Sequence, residues 1–370
     1  MSKKFYSLGL MSGTSMDGID VSIIQSDGKT SYKVILDRYF KYSKSLYIDL
    51  VNLRDKIKNF NDLKKNENEI KIIKNKITLF HANVVKKLLK VIKFKINLIG
   101  FHGQTIFHDS KRKISKQLGD GTLLSKITKK NVVYDFRQND IRNGGEGAPL
   151  TPVFHKLLIS KYKLKLPTLI INIGGITNVT WSKPESKIIS YDIGPGNCLI
   201  DKWMRVNSNK KYDKSGSLAK KGNINKGRLQ YLFNYYNKMG LKNLYSYDVY
   251  DFNVQIKYLK GLSLKDGAAT LNEYTTEILS KKIVSSKPLF FANIILSGGG
   301  RKNKFLIKTL EKKINFPLKL IDEYKINGDF IESQAFAYLA IRSFLNLPIS
   351  FPETTNVKKP CTGGVLVKYN

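Results

Sequence analysis

Residues 10–20, LMSGTSMDGID, carry the reading that decides the fold. They stand between a short apolar run, Phe5-Tyr6-Ser7-Leu8-Gly9, and Val21-Ser22-Ile23-Ile24-Gln25, whose β-branched residues favour an extended chain. Two strands joined by a short polar stretch make a β-hairpin. Its turn uses Ser12, Gly13, Thr14, Ser15, Asp17 and Gly18, small, hydroxyl-bearing and acidic residues that can aim backbone N–H groups and oxygens at one point, which suits a phosphate chain. The same composition also makes an ordinary polar hairpin loop. The remainder of the chain decides between the two.

A second strand-turn-strand follows in the other half of the sequence. Thr168 to Ile173 is a near-continuous apolar strand, Gly174-Gly175 a turn, and Ile176 to Trp181 a return strand, an arrangement that resembles the first hairpin. The next strand, Ile188 to Tyr191, runs into Asp192-Ile193-Gly194-Pro195-Gly196-Asn197 and then a helix from about Cys198 to Arg205. An acid at a strand's edge, beside a glycine turn and a helix N-terminus, is placed either as a catalytic carboxylate with phosphate neighbours or as a plain turn-forming residue. Further on, Asn293 to Leu296 reads as a buried strand, Ser297-Gly298-Gly299-Gly300 as a tight turn and Asn303 to Leu310 as a helix. The three glycines let a flat or anionic ligand approach the backbone closely.

Between the hairpins, Ile70, Ile73, Ile77, Phe80, Val84, Leu88 and Val91 form one apolar stripe on a long Lys-rich helix. Lys95 to Gly100 reads as a buried strand ending in Phe101-His102-Gly103-Gln104-Thr105, where polar residues are placed like site residues. For His102 a purely structural hydrogen bond stays equally open. The stretch 135–152, DFRQNDIRNGGEGAPLTP, has too much glycine and proline for a helix or a central strand. It reads as a substrate loop in which Arg137 and Arg142 could pair with a carboxylate, or as a linker. The domain boundary is expected here, giving residues 1–134 and 135–370, with a C-terminal segment that could pack back on the first domain. Lys214 to Gly222, KSGSLAKKG, reads as a flexible polar loop, and Ser333 to Phe344 as a helix whose Ala335, Ala337 and Ala340 allow close packing.

Composition narrows the class. With 370 residues, 42% of them apolar, the chain can build two cores. Its longest apolar run, Leu289 to Leu296, is far short of the roughly 18 residues of a membrane span. The N-terminus is too short for a signal peptide, and two cysteines, Cys198 and Cys361, make neither a disulfide framework nor a CxxC pair. A cytoplasmic protein with no membrane partner is expected. Sixty-four Lys plus Arg against 29 Asp plus Glu give a net charge of +35. The lysines are spread along the whole chain beside Asn, Ile, Tyr and Phe, so the charge reads as a solvated surface that attracts anionic small molecules and not as a nucleic-acid site. The four histidines have no zinc spacing.

Neither GxxxxGK[ST] nor GxGxxG occurs, and Gly13-Thr14-Ser15-Met16-Asp17 has an acid where a GxSxG elbow needs its second glycine. Two glycine-bearing hairpins and a late strand-GGG-helix remain. This layout resembles the superfamily of actin, the sugar kinases and the heat-shock ATPases. Within it, MSGTSMDGID at 11–20, GFHGQTIFH at 100–108, DFRQNDIRNGGEGAPLTPVFH at 135–155, NIGGITNVT at 172–180, YDIGPGN at 191–197, SGGGRKN at 297–303 and the Glu332-led helix resemble the anhydro-N-acetylmuramic acid kinase family, in the family's order and from one end of the chain to the other.

The resemblance implies an α/β, two-domain, actin-like ATPase (ribonuclease H-like) fold with an inter-domain active-site cleft. It also implies an ATP- and Mg²⁺-dependent enzyme of cell-wall recycling, which opens 1,6-anhydro-N-acetylmuramic acid with water and phosphorylates the freed O6. It assigns catalysis to Asp192. ATP falls to Gly13, Thr14, Ser15, Met16, Asp17, Gly18, Ile19 and Asp20, to Gly174, Gly175, Gly194, Gly196 and Asn197, and to Gly298, Gly299, Gly300 and Asn303; the amino sugar falls to His102, Gln104, Arg137, Asp140 and Glu332. A homodimer is a candidate assembly. Actin-like proteins usually carry an aspartate two residues before the first Gly-Thr, where this chain has Met11, so Asp17, Asp20 and Asp192 are the candidates for the metal. Arg301-Lys302 and Gln334 also depart from the family pattern, a difference expected to bear on nucleotide affinity. A kinase for another sugar or carboxylate on the same fold is the nearer rival, and a nucleic-acid-binding protein the more distant one.

Overall fold

Both halves of the chain repeat one sheet plan. The computed structural model describes residues 3–184, 187–240, 246–285 and 291–369, so Leu289 and Phe290 of the longest apolar run lie outside the described residues. Among the described residues the strands are β1 (Phe5–Ser12), β2 (Gly18–Ser26), β3 (Tyr32–Lys41), β4 (Leu98–Asp109), β5 (Ile114–Leu118), β6 (Asn131–Tyr134), β7 (Thr168–Ile173), β8 (Ile176–Ser182), β9 (Ile188–Pro195), β10 (Asn293–Ser297), β11 (Leu318–Leu320) and β12 (Val365–Val367). One sheet runs β12-β6-β4-β1-β2-β3, with β5 paired to β4; the other runs β11-β10-β7-β8-β9. In each, three antiparallel strands lead into two parallel ones: β3-β2-β1 then β4-β6, and β9-β8-β7 then β10-β11. This order is the ribonuclease H-like plan of actin-like chains, and both hairpins stand where the sequence puts them.

The contacts divide the chain into two units, Met1–Lys163 with Asp329–Asn370, and Leu164–Gly328. The division falls at Lys163/Leu164 and not after Tyr134, because the loop expected to separate the domains is bonded into the first unit. Asn139 Nδ2 donates to Thr362 O at 2.6 Å, Glu146 N to Thr355 O at 2.8 Å and Thr355 Oγ1 to Asp140 Oδ1 at 2.6 Å. The loop also contains a five-residue helix, Gln138–Arg142, where none is expected. Its glycines begin only at Gly144, so residues 138–142 are free to wind.

In the first unit, strand alternation sorts the side chains onto two faces. Leu8, Leu10, Val21, Ile23, Ile99 and Phe101 enter a core with Leu46, Leu50 and Leu53 of the helix Lys44–Lys56 and Ile70, Ile73, Ile77, Val84 and Leu88 of the helix Glu67–Val91. Val91, the expected end of that stripe, closes the helix and is exposed. The opposite face receives the helix Ile331–Phe344. There, Gly9 of β1 and Gly100 of β4 are register partners. A Cβ on Gly9 would overlap the Ser333 carbonyl oxygen and stand 2.6 Å from Ala337 N, and one on Gly100 would overlap the Phe336 carbonyl oxygen. The paired glycines let the helix backbone lie directly on the sheet, which is why its small residues face inward. The seat is also pinned by polar groups: Ser22 Oγ meets Ser333 Oγ at 2.7 Å, and buried Gln334 accepts from Tyr32 OH and donates to Asp37 Oδ2 at 2.9 Å. Gln334 is thus occupied in the packing of this helix on its sheet, and its departure from the family pattern does not place it as a nucleotide ligand.

In the second unit, Leu169, Ile171, Ile173, Val179 and Ile193 pack with the helices Cys198–Asn207, Lys226–Lys238, Leu264–Ser285 and Lys304–Ile314. No helix among the described residues is long and apolar enough to cross a membrane.

The glycine seat gives a direct test. Gly9→Val is expected to destabilise the chain by about 3 kcal/mol or more, since neither backbone can yield. Gly13→Ala, with no heavy atom among the described residues within 4 Å of the new methyl group, is expected to leave the urea midpoint unchanged. Equal midpoints for the two variants contradict the seat.

Candidate active site

The turn of the first hairpin is anchored from within and open outward. Met16, at φ 56°, enters the core while its N–H donates to Gly13 O at 3.2 Å, and Thr14 and Ser15 are exposed. Ser15 Oγ donates to Asp17 Oδ1 at 2.6 Å, and Asp17 O accepts from Tyr42 N at 2.9 Å and Tyr39 OH at 3.0 Å. Beneath the turn, buried Ser12 donates to Gln104 Oε1 at 2.6 Å and meets Tyr42 OH at 2.8 Å, and Gln104 Nε2 donates to Gly13 O at 3.1 Å. Gln104 therefore braces the turn. Ile19 is core, while Asp17 and Asp20 are half-buried; both raise the Tyr39 phenol pKa, after burial, which is the larger cause.

His102 and Gln104 lie inside β4 and not beyond its end as expected, because pairing with β5 carries the strand on to Asp109. The strand begins at Leu98, three residues later than expected, and Gly103, at φ 75°, lets it bend between the two site residues. The His102 ring rests on Phe336 at 4.4 Å between centroids. Nδ1 faces Gly103 O at 2.9 Å, and Nε2 faces Arg137 Nη2 at 3.0 Å. A carbonyl can only accept and a guanidinium only donate, so the ring is neutral with its proton on Nδ1. Burial first, and Arg137 second, pull its pKa down to about 3. Arg137 Nη1 also donates to Gly147 O at 3.0 Å, and Gly147 N donates to Asp140 Oδ2 at 2.7 Å. His102, Arg137 and Asp140 thus form one chain of contacts. Asp140 is its buried end, with its second oxygen on Thr355 Oγ1, so it shapes the loop. Arg142 is exposed at the end of the short helix, and Glu332 is half-buried in the first turn of the helix Ile331–Phe344.

In the second unit, Asp192 lies within β9, which continues to Pro195 and pairs Asp192 with Asn178. Asp192 is 6% exposed, and its Oδ2 accepts from Tyr247 N at 2.7 Å, a contact across 55 residues that no sequence pattern announces. The second hairpin turn is held by the start of the following helix. Gly175 O accepts from Gly196 N at 2.9 Å and Cys198 N at 3.2 Å, and Gly174 O from Asn197 N at 2.8 Å. Gly194, at φ 155°, lies close to Ile278. The late glycine turn packs on the end of β7. Gly298 has φ 77°, and a Cβ there would stand 2.5 Å from Asn172 Oδ1; a Cβ on Gly300 would overlap Ile173. Of the three glycines, Gly299 alone leaves room for a Cβ, whose nearest neighbour among the described residues would be Asn197 Nδ2 at 3.9 Å.

Arg301 and Asn303 have work inside the fold. Arg301 makes a fork to Asp322, at 2.6 and 3.0 Å, and donates to Gly298 O at 3.0 Å. The guanidinium holds the Asp322 carboxyl below the usual range. Arg301 thus fixes the glycine turn. Asn303 caps the next helix through Leu306 N at 3.1 Å. Among the described residues no group of three His, Cys, Asp or Glu side chains is placed to hold a metal.

Two ribonuclease H-like sheets, each opening on a hairpin with a glycine-bearing turn, define the actin-like class. A family model described as anhydro-N-acetylmuramic acid kinase matches residues 5–369. The chain is 50% identical over 377 residues to the anhydro-N-acetylmuramic acid kinase of Pelagibacter ubique, covering 99% of each, and 37% identical over 368 residues to that of Zymomonas mobilis, covering 96% of this chain and 98% of the other. The chain belongs to the anhydro-N-acetylmuramic acid kinase family, kinases of peptidoglycan recycling. Among solved structures it is similar to the (R)-2-hydroxyglutaryl-CoA dehydratase component A of Acidaminococcus fermentans, at 12% identity and a TM-score of 0.44 over 91% of this chain and 98% of that one, too low a likeness to carry an argument.

The His102 assignment can be read by NMR. From pH 8 to 5 its ring is expected to stay neutral and protonated on Nδ1; a His102 midpoint near 6.5 contradicts the geometry. Buried His81 and His155, both drawn down to about 4 by burial, behave alike. Since all three folded values are depressed, the unfolded chain binds more protons between about 4 and 6.5, and stability is expected to rise with pH across that window. A thermal midpoint that does not fall between pH 6.5 and 4.5 contradicts it.

Proposed function

We propose that this chain uses ATP to convert 1,6-anhydro-N-acetylmuramic acid into N-acetylmuramic acid 6-phosphate in the cytoplasm, with Asp192 as the base. Water gives a proton to the Asp192 carboxylate as its oxygen attacks the anomeric carbon. The bond from that carbon to O6 breaks, and O6 takes its electron pair to the γ-phosphorus of ATP as the bond to the ADP oxygen breaks. The observation that carries this reading is the buried Asp192 carboxylate, oriented by the Tyr247 N–H in a chain whose whole length matches this kinase family. A general base at such a position contributes about 10² to 10⁴ in rate.

The first hairpin suits the phosphates. Thr14 and Ser15 are exposed, the space beside Gly13 is open, and the Ser12–Tyr42–Gln104 set keeps the turn from collapsing. Gly298–Gly300 would lie against adenosine, with Gly299 as the open face. Its fixed position beside His102 supports Arg137 over exposed Arg142 as the partner of the lactyl carboxylate, with Glu332 on the sugar. Mg²⁺ usually takes one or two carboxylates and completes its shell with phosphate oxygens and water, so Asp17, Asp20 or Asp192 suffices without a three-ligand cage. When bound, it neutralises phosphate charge.

Asp192→Asn is expected to lower kcat by about 10² or more while a fluorescent ATP analogue binds as before. Retained turnover refutes the assignment. Arg137→Ala is expected to raise KM for the anhydro-sugar with little effect on KM for ATP; an unchanged sugar KM removes Arg137 from the site. Turnover of ordinary N-acetylmuramic acid in preference to the anhydro-sugar would favour the rival sugar kinase.

A further inference from the structure

The segment expected to be a flexible loop, Lys214 to Gly222, is instead a built element. Buried Asp213 accepts from Leu218 N at 3.0 Å, Ala219 N at 2.9 Å and Ser217 Oγ at 3.3 Å, winding the chain into two short turns, Lys214–Gly216 and Ala219–Lys221. Ala219 enters the core of the second unit. Between these anchors Ser215 is held at φ 57°, ψ 15°, a left-handed conformation unusual for serine, and both Lys214 and Ser215 are exposed.

The location gives that strain a use. Gly216, at φ 69°, lies beside Asn303: a Cβ there would overlap Asn303 Oδ1 and stand 2.6 Å from Phe305 Cβ. Asn303 in turn donates its N–H to Gly300 O at 2.9 Å. One glycine contact therefore separates the exposed Lys214–Ser215 pair from the Gly298–Gly300 turn. Asp213 and Gly216 fix the backbone on either side, so the pair is pre-positioned and costs little to order on binding.

We propose that Lys214–Ser215 is a second wall of the nucleotide site, with the Lys214 ammonium on a phosphate oxygen of a purine nucleoside di- or triphosphate. The proposal rests on the reading that Gly298–Gly300 meets adenosine. A charge-assisted contact of this kind is worth about tenfold in affinity.

The test measures ADP and adenosine binding to the full chain by calorimetry, with three variants. Lys214→Ala is expected to weaken ADP about tenfold and leave adenosine unchanged, with the melting temperature unaltered; Lys214→Arg should restore most of the ADP affinity. Gly299→Val, which adds bulk on the open face of the glycine turn, is expected to weaken both ligands. Loss of binding with Gly299→Val but not with Lys214→Ala overturns the second wall and leaves the adenosine reading standing. Unchanged binding in Gly299→Val overturns both. Equal weakening of ADP and adenosine by Lys214→Ala refutes the phosphate contact.

Discussion

The first unit depends on two glycines that face each other across β1 and β4. Gly9 and Gly100 remove the side chains that would hold the helix Ile331–Phe344 off the sheet, so helix backbone meets strand backbone. The sequence positions involved are more than 200 residues apart, and the contact makes the unit discontinuous: the chain leaves it at Lys163 and returns at Asp329. The consequences reach the site residues. The same strands carry Ser12 at the end of β1 and His102 and Gln104 on β4, and Phe336 of the seated helix supplies the surface on which the His102 ring rests. A helix held further away would leave His102 without that surface.

Buried polar groups then do for the turns what the glycines do for the helix. Ser12, Tyr42 and Gln104 brace the first hairpin, Arg301 and Asp322 fix the late glycine turn, and the amides of Gly196, Asn197 and Cys198 close on the Gly174–Gly175 turn. Ser12, Tyr42 and Gln104 are buried, and the buried Arg301 guanidinium is held by Asp322 at the surface. Leaving such groups unpaired in the interior would cost about 1–3 kcal/mol each, so these braces hold the turns in single conformations. That rigidity is what binding a polyphosphate by main-chain N–H groups requires.

Much of this was legible because it is local. The apolar run Thr168–Ile173 bounds β7 residue for residue, Gly174–Gly175 marks the second turn, and the small residues of the C-terminal helix announce close packing. What escaped is long-range. The sequence ends a strand at the polar block beginning with Phe101, but neighbouring strands bury that block and extend β4 to Asp109. Arg301 and Gln334 look like site departures until Asp322, Tyr32 and Asp37 are seen beside them. The loop after Tyr134 looks like a boundary until Thr355 and Thr362 return to bind it. The KSGSLAKKG segment looks flexible because its composition is polar, yet one buried carboxylate, Asp213, sets its shape. The sequence puts Asp192 at a strand's end beside glycines, but pairing with β8 carries β9 on to Pro195, and the Tyr247 N–H that orients the carboxylate has no signal in the sequence.

In the proposed reaction water opens the anhydro bridge while O6, and not water, receives the phosphoryl group. Turnover in oxygen-18 water, followed by mass spectrometry of the sugar phosphate and by ADP release, tests it most directly. One ADP per sugar is expected, with the heavy oxygen in the anomeric hydroxyl and none in the phosphate. Heavy oxygen in inorganic phosphate, with the anhydro-sugar left intact, would contradict it.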